Sequence, residues 1–184
     1  MIRVEDQTFK ALTNLAKAEY ENCHFIQCTF NEINLNNYSF SECVFEACDL
    51  SNVKITNTSF KDVQFRQSKL LGLKFEEVNP FLLSVLFESC SLNFASFYKV
   101  ILKGTNFSNC SLQEVDFSGT DLTDSTFDNC DFSASIFDGT ILKNVNFRTS
   151  FNFSIDPSRN QLTKAKFSKE NCLGLLNHLK IEIK

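Results

Sequence analysis

The stretch FSGTDLTDSTFDNCDF, residues 117–132, carries Phe117, Leu122, Phe127 and Phe132 at every fifth position, with small and acidic residues between them. A helix repeats its apolar face every three or four residues and a strand every two, so a period of five belongs to neither. The spacing extends in both directions. From Phe25 to Phe75 each fifth residue is Phe, Leu or Ile. The register slips by two residues across Glu76–Leu86, resumes at Phe87, and runs to Phe147 with only Phe and Leu. Twenty-four slots hold twenty-four apolar residues, which marks an internal repeat.

A second slot lies two residues before each of these. It holds Cys23, Cys28, Cys43, Cys48, Cys90, Cys110 and Cys130, and otherwise mostly Val, Thr, Ser or Ala. Residues two apart in an extended segment face the same side, so both slots point inward and the polar residues between them point to solvent. Gly72, Gly104, Gly119 and Gly139 each sit two residues after a central Phe or Leu, where a corner with positive φ favours glycine. Like residues also recur every twenty positions, as in Cys90, Cys110 and Cys130 or Phe87, Phe107, Phe127 and Phe147. Four five-residue faces per turn follow, and the chain reads as an all-β solenoid of square section. At about 4.8 Å per turn, some six turns make a rod on the order of 30 Å long.

With 184 residues the chain is long enough for one domain with a substantial core. Its 21 Phe, single Met and absence of Trp suit one repeated structural slot rather than a mixed interior. A net charge of −4 argues against direct nucleic-acid binding through phosphate neutralisation. No apolar run reaches the length of a signal peptide or of a membrane span, roughly 18 residues. The expectation is a soluble, cytoplasmic protein with no membrane association, whose eight cysteines are thiols because the cytosol keeps them reduced.

Segments such as AEYEN (18–22), CDLSN (48–52), TNFSN (105–109), TDLTD (120–124) and CDFSA (130–134) resemble the pentapeptide-repeat family, whose consensus is A(D/N)LXX. The resemblance covers roughly residues 18–150 and implies a right-handed quadrilateral β-helix. The expected organisation is a single domain over 1–184. Residues 1–17 form an N-terminal cap, 18–75 and 85–149 the repeat coils, 76–84 the register slip, and 150–184 a last coil, a short C-terminal helix and a tail. Tyr38 is too large for the small slot and Asn79–Pro80 interrupts the pattern, so a bulge is expected at each. Near the C-terminus Ser168 can cap a helix with Glu170 in its first turn, and Cys172, Leu175, Leu176 and Leu179 give it one apolar face. Ile181–Glu182–Ile183 alternates like a short strand. The segments SIDP (154–157), KAKF (164–167) and LLNHLKIEI (175–183) resemble the C-terminal region of relatives in the quinolone-resistance branch. That resemblance implies a homodimer through the C-terminal ends, with Leu175, Leu176, Leu179, Ile181 and Ile183 as the candidate interface.

Catalytic chemistry has little support. His24 and His178 lack a nucleophile or carboxylate partner at recognisable spacing, and no glycine-rich phosphate loop is present. The cysteines could pair as metal ligands, but seven of the eight occupy the small inward slot and read as compact apolar residues. Neither cofactor nor metal is implied. The acids carry more information. Between Lys103 and Lys143 there is no Lys or Arg, while Glu114, Asp116, Asp121, Asp124, Asp128, Asp131 and Asp138 supply seven negative charges. Assigned to faces they form a belt around about two turns, serving either solubility or the attraction of a basic protein partner. The resemblance implies a DNA-mimicking, non-enzymatic binding protein whose partner is DNA gyrase or topoisomerase IV. The alternative is a structural or adaptor scaffold with a different protein partner. In the slip, EEVNPFLLSVL (76–86), Phe81, Leu82, Leu83 and Leu86 either pack a bulge onto the core or form an exposed contact patch.

Overall fold

A computed structural model describes residues 2–182, so Ile183, placed by sequence in the terminal strand and the dimer contact, lies outside the described residues. The five-residue period becomes a series of short extended pieces joined by corners. Each piece centres on one inward side chain, and two residues later φ turns positive: +53° at Gln27, +51° at Ala47, +55° at Glu114 and +68° at Gly119. Asn22, Asn37, Asn52, Asn57, Asn109, Asn129 and Asn144 stand at the same corner, consistent with the tolerance of Asn for the left-handed region. At Gly72 the Asn52 side chain occupies the space that a Cβ would take. A Cβ there would lie 2.5 Å from Asn52 Oδ1, at φ +67°.

Four pieces complete one turn of a right-handed quadrilateral β-helix. The strands are β1 (Ile2–Glu5), β2 (Thr8–Lys10), β3 (Ala18–Glu21), β4 (His24–Ile26), β5 (Ser39–Ser41), β6 (Val44–Glu46), β7 (Ser59–Lys61), β8 (Val63–Arg66), β9 (Val85–Glu88), β10 (Asn106–Ser108) and β11 (Thr126–Asp128). One sheet runs β1-β3-β5-β7 and the other β2-β4-β6-β8-β9-β10-β11, with every pair parallel. The register steps by twenty, Phe25 facing Phe45 and Phe107 facing Phe127. Single parallel bridges stitch the other two faces, for example Ser91 to Ser111 to Asp131.

Every central residue from Phe25 to Phe147 is buried. Rings one turn apart stack nearly parallel, with centroids 4.6 Å apart for Phe25–Phe45 and 4.7 Å for Phe107–Phe127. Rings on adjacent faces meet edge to face, as at Phe117–Phe127 (6.2 Å, 79°). Offset stacks and T-shaped pairs are the arrangements that the ring quadrupole favours. The small slot is selected by more than size. Thr58 Oγ1 donates to Leu35 O at 2.7 Å, Thr120 Oγ1 to Phe97 O at 2.7 Å and Ser150 Oγ to Phe127 O at 3.0 Å, each reaching the preceding turn. Cys48 Sγ makes the same contact to Phe25 O at 3.3 Å.

Two local expectations need correction. Tyr38 causes no bulge, since the register at Ser39 is unbroken on both sides. Its ring stacks on Phe40 and its hydroxyl donates to Leu15 O at 2.8 Å, beyond the small slot. The C-terminal helix is a pair of 3-10 turns, Cys172–Leu175 and Asn177–Leu179. Gly174 packs so closely that a Cβ would lie 2.5 Å from Phe153 O, and Lys180 turns left-handed at φ +52°, so the segment follows the rod's end rather than an α-helical course. Ser168 is not its N-cap: Asn171 holds that position with no side-chain cap bond, while Asn171 N–H donates to Ser168 Oγ (3.1 Å) and Ser168 N–H to Asn171 Oδ1 (2.8 Å) in the approach to the turn. Ile181 and Glu182 form no strand. At the other end, residues 2–17 extend both sheets as a shortened turn, with Ile2 facing Ala18 and Phe9 facing Phe25, a step of sixteen.

Phe107 lies between Phe87 (4.9 Å) and Phe127 (4.7 Å) with 1 % of its surface exposed. Phe107→Ala is expected to cost about 3–5 kcal/mol in urea denaturation. A loss below about 1 kcal/mol would mean that the stack contributes little.

Candidate protein-binding surface

The outward slots flank each central residue, and the seven acids fall into distinct kinds there. Asp116, Asp121 and Asp131 precede a central residue and are half-buried. Each accepts the main-chain N–H two residues on, from Ser118 (2.8 Å), Thr123 (3.0 Å) and Ser133 (3.1 Å), which closes an Asx-type turn. Asp121 also meets Lys103 Nζ at 3.2 Å. Asp131 gathers further donors from Gln113 Nε2 (2.7 Å) and Asn152 Nδ2 (2.8 Å). Partial burial, the largest single influence, pushes the Asp121 and Asp131 carboxyls upward, but their hydrogen bonds together outweigh it and hold both below the ordinary value. Asp138 pairs with Arg159 at 2.8 Å. Asp124 accepts from Asn144 Nδ2 and Asp128 from Thr149 Oγ1, and with Glu114 these acids are exposed.

The belt is discontinuous along the rod. Asp121 stands in the ladder between Ile101 and Ile141, Asp116 between Ser96 and Ile136, and Asp131 between Ser111 and Phe151. No acid of these three has an acid directly above or below it.

The slip supplies a different surface. Asn79 N–H donates to Thr58 O (2.9 Å), which keeps the step of about twenty, whereas Val63 faces Val85, a step of twenty-two. Two residues are gained between them and form a turn at Phe81–Leu82, with Leu82 at φ +57°. Leu83 packs against the core, while Phe81 and Leu82 stand 74 % and 55 % exposed. Beside the turn an open cleft of about 400 Å³ is lined by Phe75, Val78, Pro80, Leu83, Tyr98 and Ile101. Ile101 is 64 % exposed and Phe94, at a nearby corner, 60 %. Phe94, Tyr98, Ile101 and Ile136 went unnoticed in the sequence reading, yet each stands in an outward slot, where an apolar residue breaks the repeat's polar pattern.

At the C-terminal end the candidate dimer residues separate. Leu175 packs against the core, Leu176 is half-buried, and Leu179 and Ile181 are exposed. Leu173 and Phe151 add exposed apolar surface to the same end. Seven of the eight cysteines lie buried in their inward columns, and Cys172 is half-buried in the C-terminal turn. Burial pushes the thiols of Cys43, Cys48 and Cys90 up to about 12, so they stay protonated at neutral pH. His24 Nε2 lies 2.8 Å from Glu46 Oε2 on the rod's outside.

The profile of the family described as "pentapeptide repeat region" matches residues 18–79 and 82–151, with its break inside the slip. The chain belongs to the pentapeptide-repeat family. Among solved structures it is similar to trypsin-treated QnrB1, a plasmid-mediated fluoroquinolone resistance protein, at 20% identity over 100% of this chain and 98% of that one, with a TM-score of 0.49. It is also similar to HetL, a pentapeptide repeat protein involved in heterocyst differentiation regulation from the cyanobacterium Nostoc sp. strain PCC 7120, at 15% identity over 90% and 86% of the two chains, TM-score 0.38. A thylakoid-lumen pentapeptide repeat protein of Arabidopsis thaliana matches at 22% identity over 50% of this chain and 63% of that one, TM-score 0.45. At these scores the likenesses carry no argument about function. No curated protein matches the chain.

In this pentapeptide-repeat chain several of the Asp and Asn residues that precede a central position have a local duty. Asn34, Asp49, Asn146 and Asp156 close the same two-residue turn as Asp116, Asp121 and Asp131. Asp131→Ala is expected to cost about 1–2 kcal/mol at neutral pH, against less than about 0.5 for Asp124→Ala. Because the folded-state carboxyl of Asp131 titrates below its unfolded value, its contribution is present above about pH 3.9 and fades as pH falls through the folded value. Denaturation midpoints of the two variants between pH 7 and pH 3, each against the parent, check this.

Proposed function

We propose that this chain is a non-enzymatic, cytoplasmic protein-binding module that works through the outside of its rod. The filled interior supports this most directly. Inward rings stacked from turn to turn at near-zero exposure leave recognition to the outward slots. Within that reading the partner is DNA gyrase or topoisomerase IV, engaged by DNA mimicry as in the quinolone-resistance branch that the C-terminal segments resemble. The exposed carboxylates of Glu114, Asp124, Asp128 and Asp138, with Asp116, Asp121 and Asp131, give the partner's DNA-binding groove an anionic surface that speeds encounter. Two copies join at their C-terminal ends through Leu175, Leu176, Leu179, Ile181 and Ile183. The chain does not bind nucleic acid itself. A second reading, a scaffold or adaptor for another protein, is favoured by Phe81, Leu82 and Ile101, apolar side chains that charge mimicry leaves unused.

Gyrase supercoiling and quinolone-poisoned cleavage are expected to respond to micromolar protein. Replacing Asp121, Asp124, Asp128 and Asp131 together by Asn keeps the turn acceptors, removes four charges, and is expected to weaken the response while the chain stays folded. No response from the parent chain leaves the scaffold reading, and an undiminished response from the variant rules out charge mimicry. The dimer predicts a doubled mass by light scattering that Leu179→Glu with Ile181→Glu reduces.

A further inference from the structure

We propose that the N-terminal end of the rod is a second self-association surface, on which another copy of this chain docks head to head through β1. Both sheets end there. β1 and β2 are the outermost strands, and among the described residues nothing pairs with their outer edges. The ladder shows which groups this leaves open. The residue before each central position sends both its N–H and its C=O to the preceding turn, as when Asp49 N–H donates to Cys28 O and Phe30 N–H donates to Asp49 O. The residue after the centre sends its C=O the same way, Ser51 O accepting from Glu32 N–H. By the register of β1 on β3, Arg3 and Glu5 hold these positions in the first turn. Their main-chain groups point off the end of the rod, which makes β1 a strand edge ready to template another chain. Core residues come to the surface at the same place. Val4, Phe9 and Leu12 lie half-exposed on the aromatic stack, around an open hollow of about 620 Å³.

Charge selects the occupant and its register. A second copy approaching about a two-fold axis lays its own β1 antiparallel to this one. With Val4 opposite Val4 of the second copy, Arg3 meets Glu5 of that copy and Glu5 meets Arg3. Both outward pairs are then of opposite charge and Val4 closes over the hollow. Opposite charges directly across an antiparallel pair stabilise it and like charges destabilise it. Laying β2 of the second copy on β1, with Phe9 opposite Val4, would set Lys10 against Arg3. The segment Ile2-Arg3-Val4-Glu5 is thus complementary to itself in one register, as an isologous contact requires. Arg3 also pairs with Glu5 and Glu21 within its own chain. Those side chains are about half exposed, and pairs of that kind contribute little to folding, so reversing either charge leaves the fold intact.

The contact is independent of the C-terminal one, and the test removes the latter by using the full chain with Leu179→Glu and Ile181→Glu. Sedimentation of this parent is expected to show concentration-dependent dimers. Arg3→Glu alone and Glu5→Arg alone each place like charges in both pairs and are expected to weaken association at least about tenfold. An equimolar mixture of the two restores opposite charges in both pairs and is expected to recover dimers containing one copy of each. Circular dichroism verifies that all three stay folded. A parent that remains monomeric at high micromolar concentration would overturn the proposal. So would single variants that associate as tightly as the parent, or a mixture that stays monomeric.

Discussion

Everything in this molecule depends on one constraint: a turn of twenty residues sets each inward side chain on its equivalent in the next turn. Parallel pairing fixes the vertical spacing, and the rings accept it because stacked phenyls at 4.5–5.7 Å fit that spacing. The stack persists across the register slip, through Phe65–Phe87 (5.4 Å) and Phe75–Phe97 (4.5 Å). Only the face that carries Phe60 and Leu102 lacks a fully buried central residue between them, and there the extra residues Phe81 and Leu82 are pushed outward. The most exposed apolar side chain among the described residues outside the termini is thus a direct product of preserving the core.

The same constraint sorts the acids. A corner at every fifth residue needs its turn closed, and an Asp or Asn just before the central residue does this by accepting the N–H two residues on. Asp116, Asp121 and Asp131 are consumed in this way, and their charge is shared with hydroxyl, amide or ammonium donors. Glu114, Asp124, Asp128 and Asp138 keep more freedom at the surface. An anionic partner site built on this rod draws on both sets, but only the exposed four can adapt to another molecule without loosening a corner.

The fold was legible because a five-residue period admits few physical explanations. The inward Phe and Leu residues, the small slot, the glycine corners and the twenty-residue turn could all be read from spacing alone. Tyr38 escapes a reading by slot size because its hydroxyl reaches past the small slot to Leu15 O. The C-terminal segment has apolar spacing that suits an α-helix, but Gly174 is seated tightly on Phe153 and the segment runs as 3-10 turns instead. Ile101, Phe94 and Tyr98 were legible in principle as apolar residues in polar slots. The shortened first turn was not, since Val4, Phe9 and Leu12 depart from the five-residue frame, which reaches back only to Tyr20 and Leu15.

If the in-register stack holds the rod together, backbone hydrogen exchange should show it most directly. The amides bonded between turns from Asn22 to Lys166 are expected to open together as one protected block that spans the slip at 76–84, with faster exchange only at the first turn and beyond Ser168. Two blocks of different stability meeting at the slip would contradict the account, because the rings would then fail to couple the turns on either side.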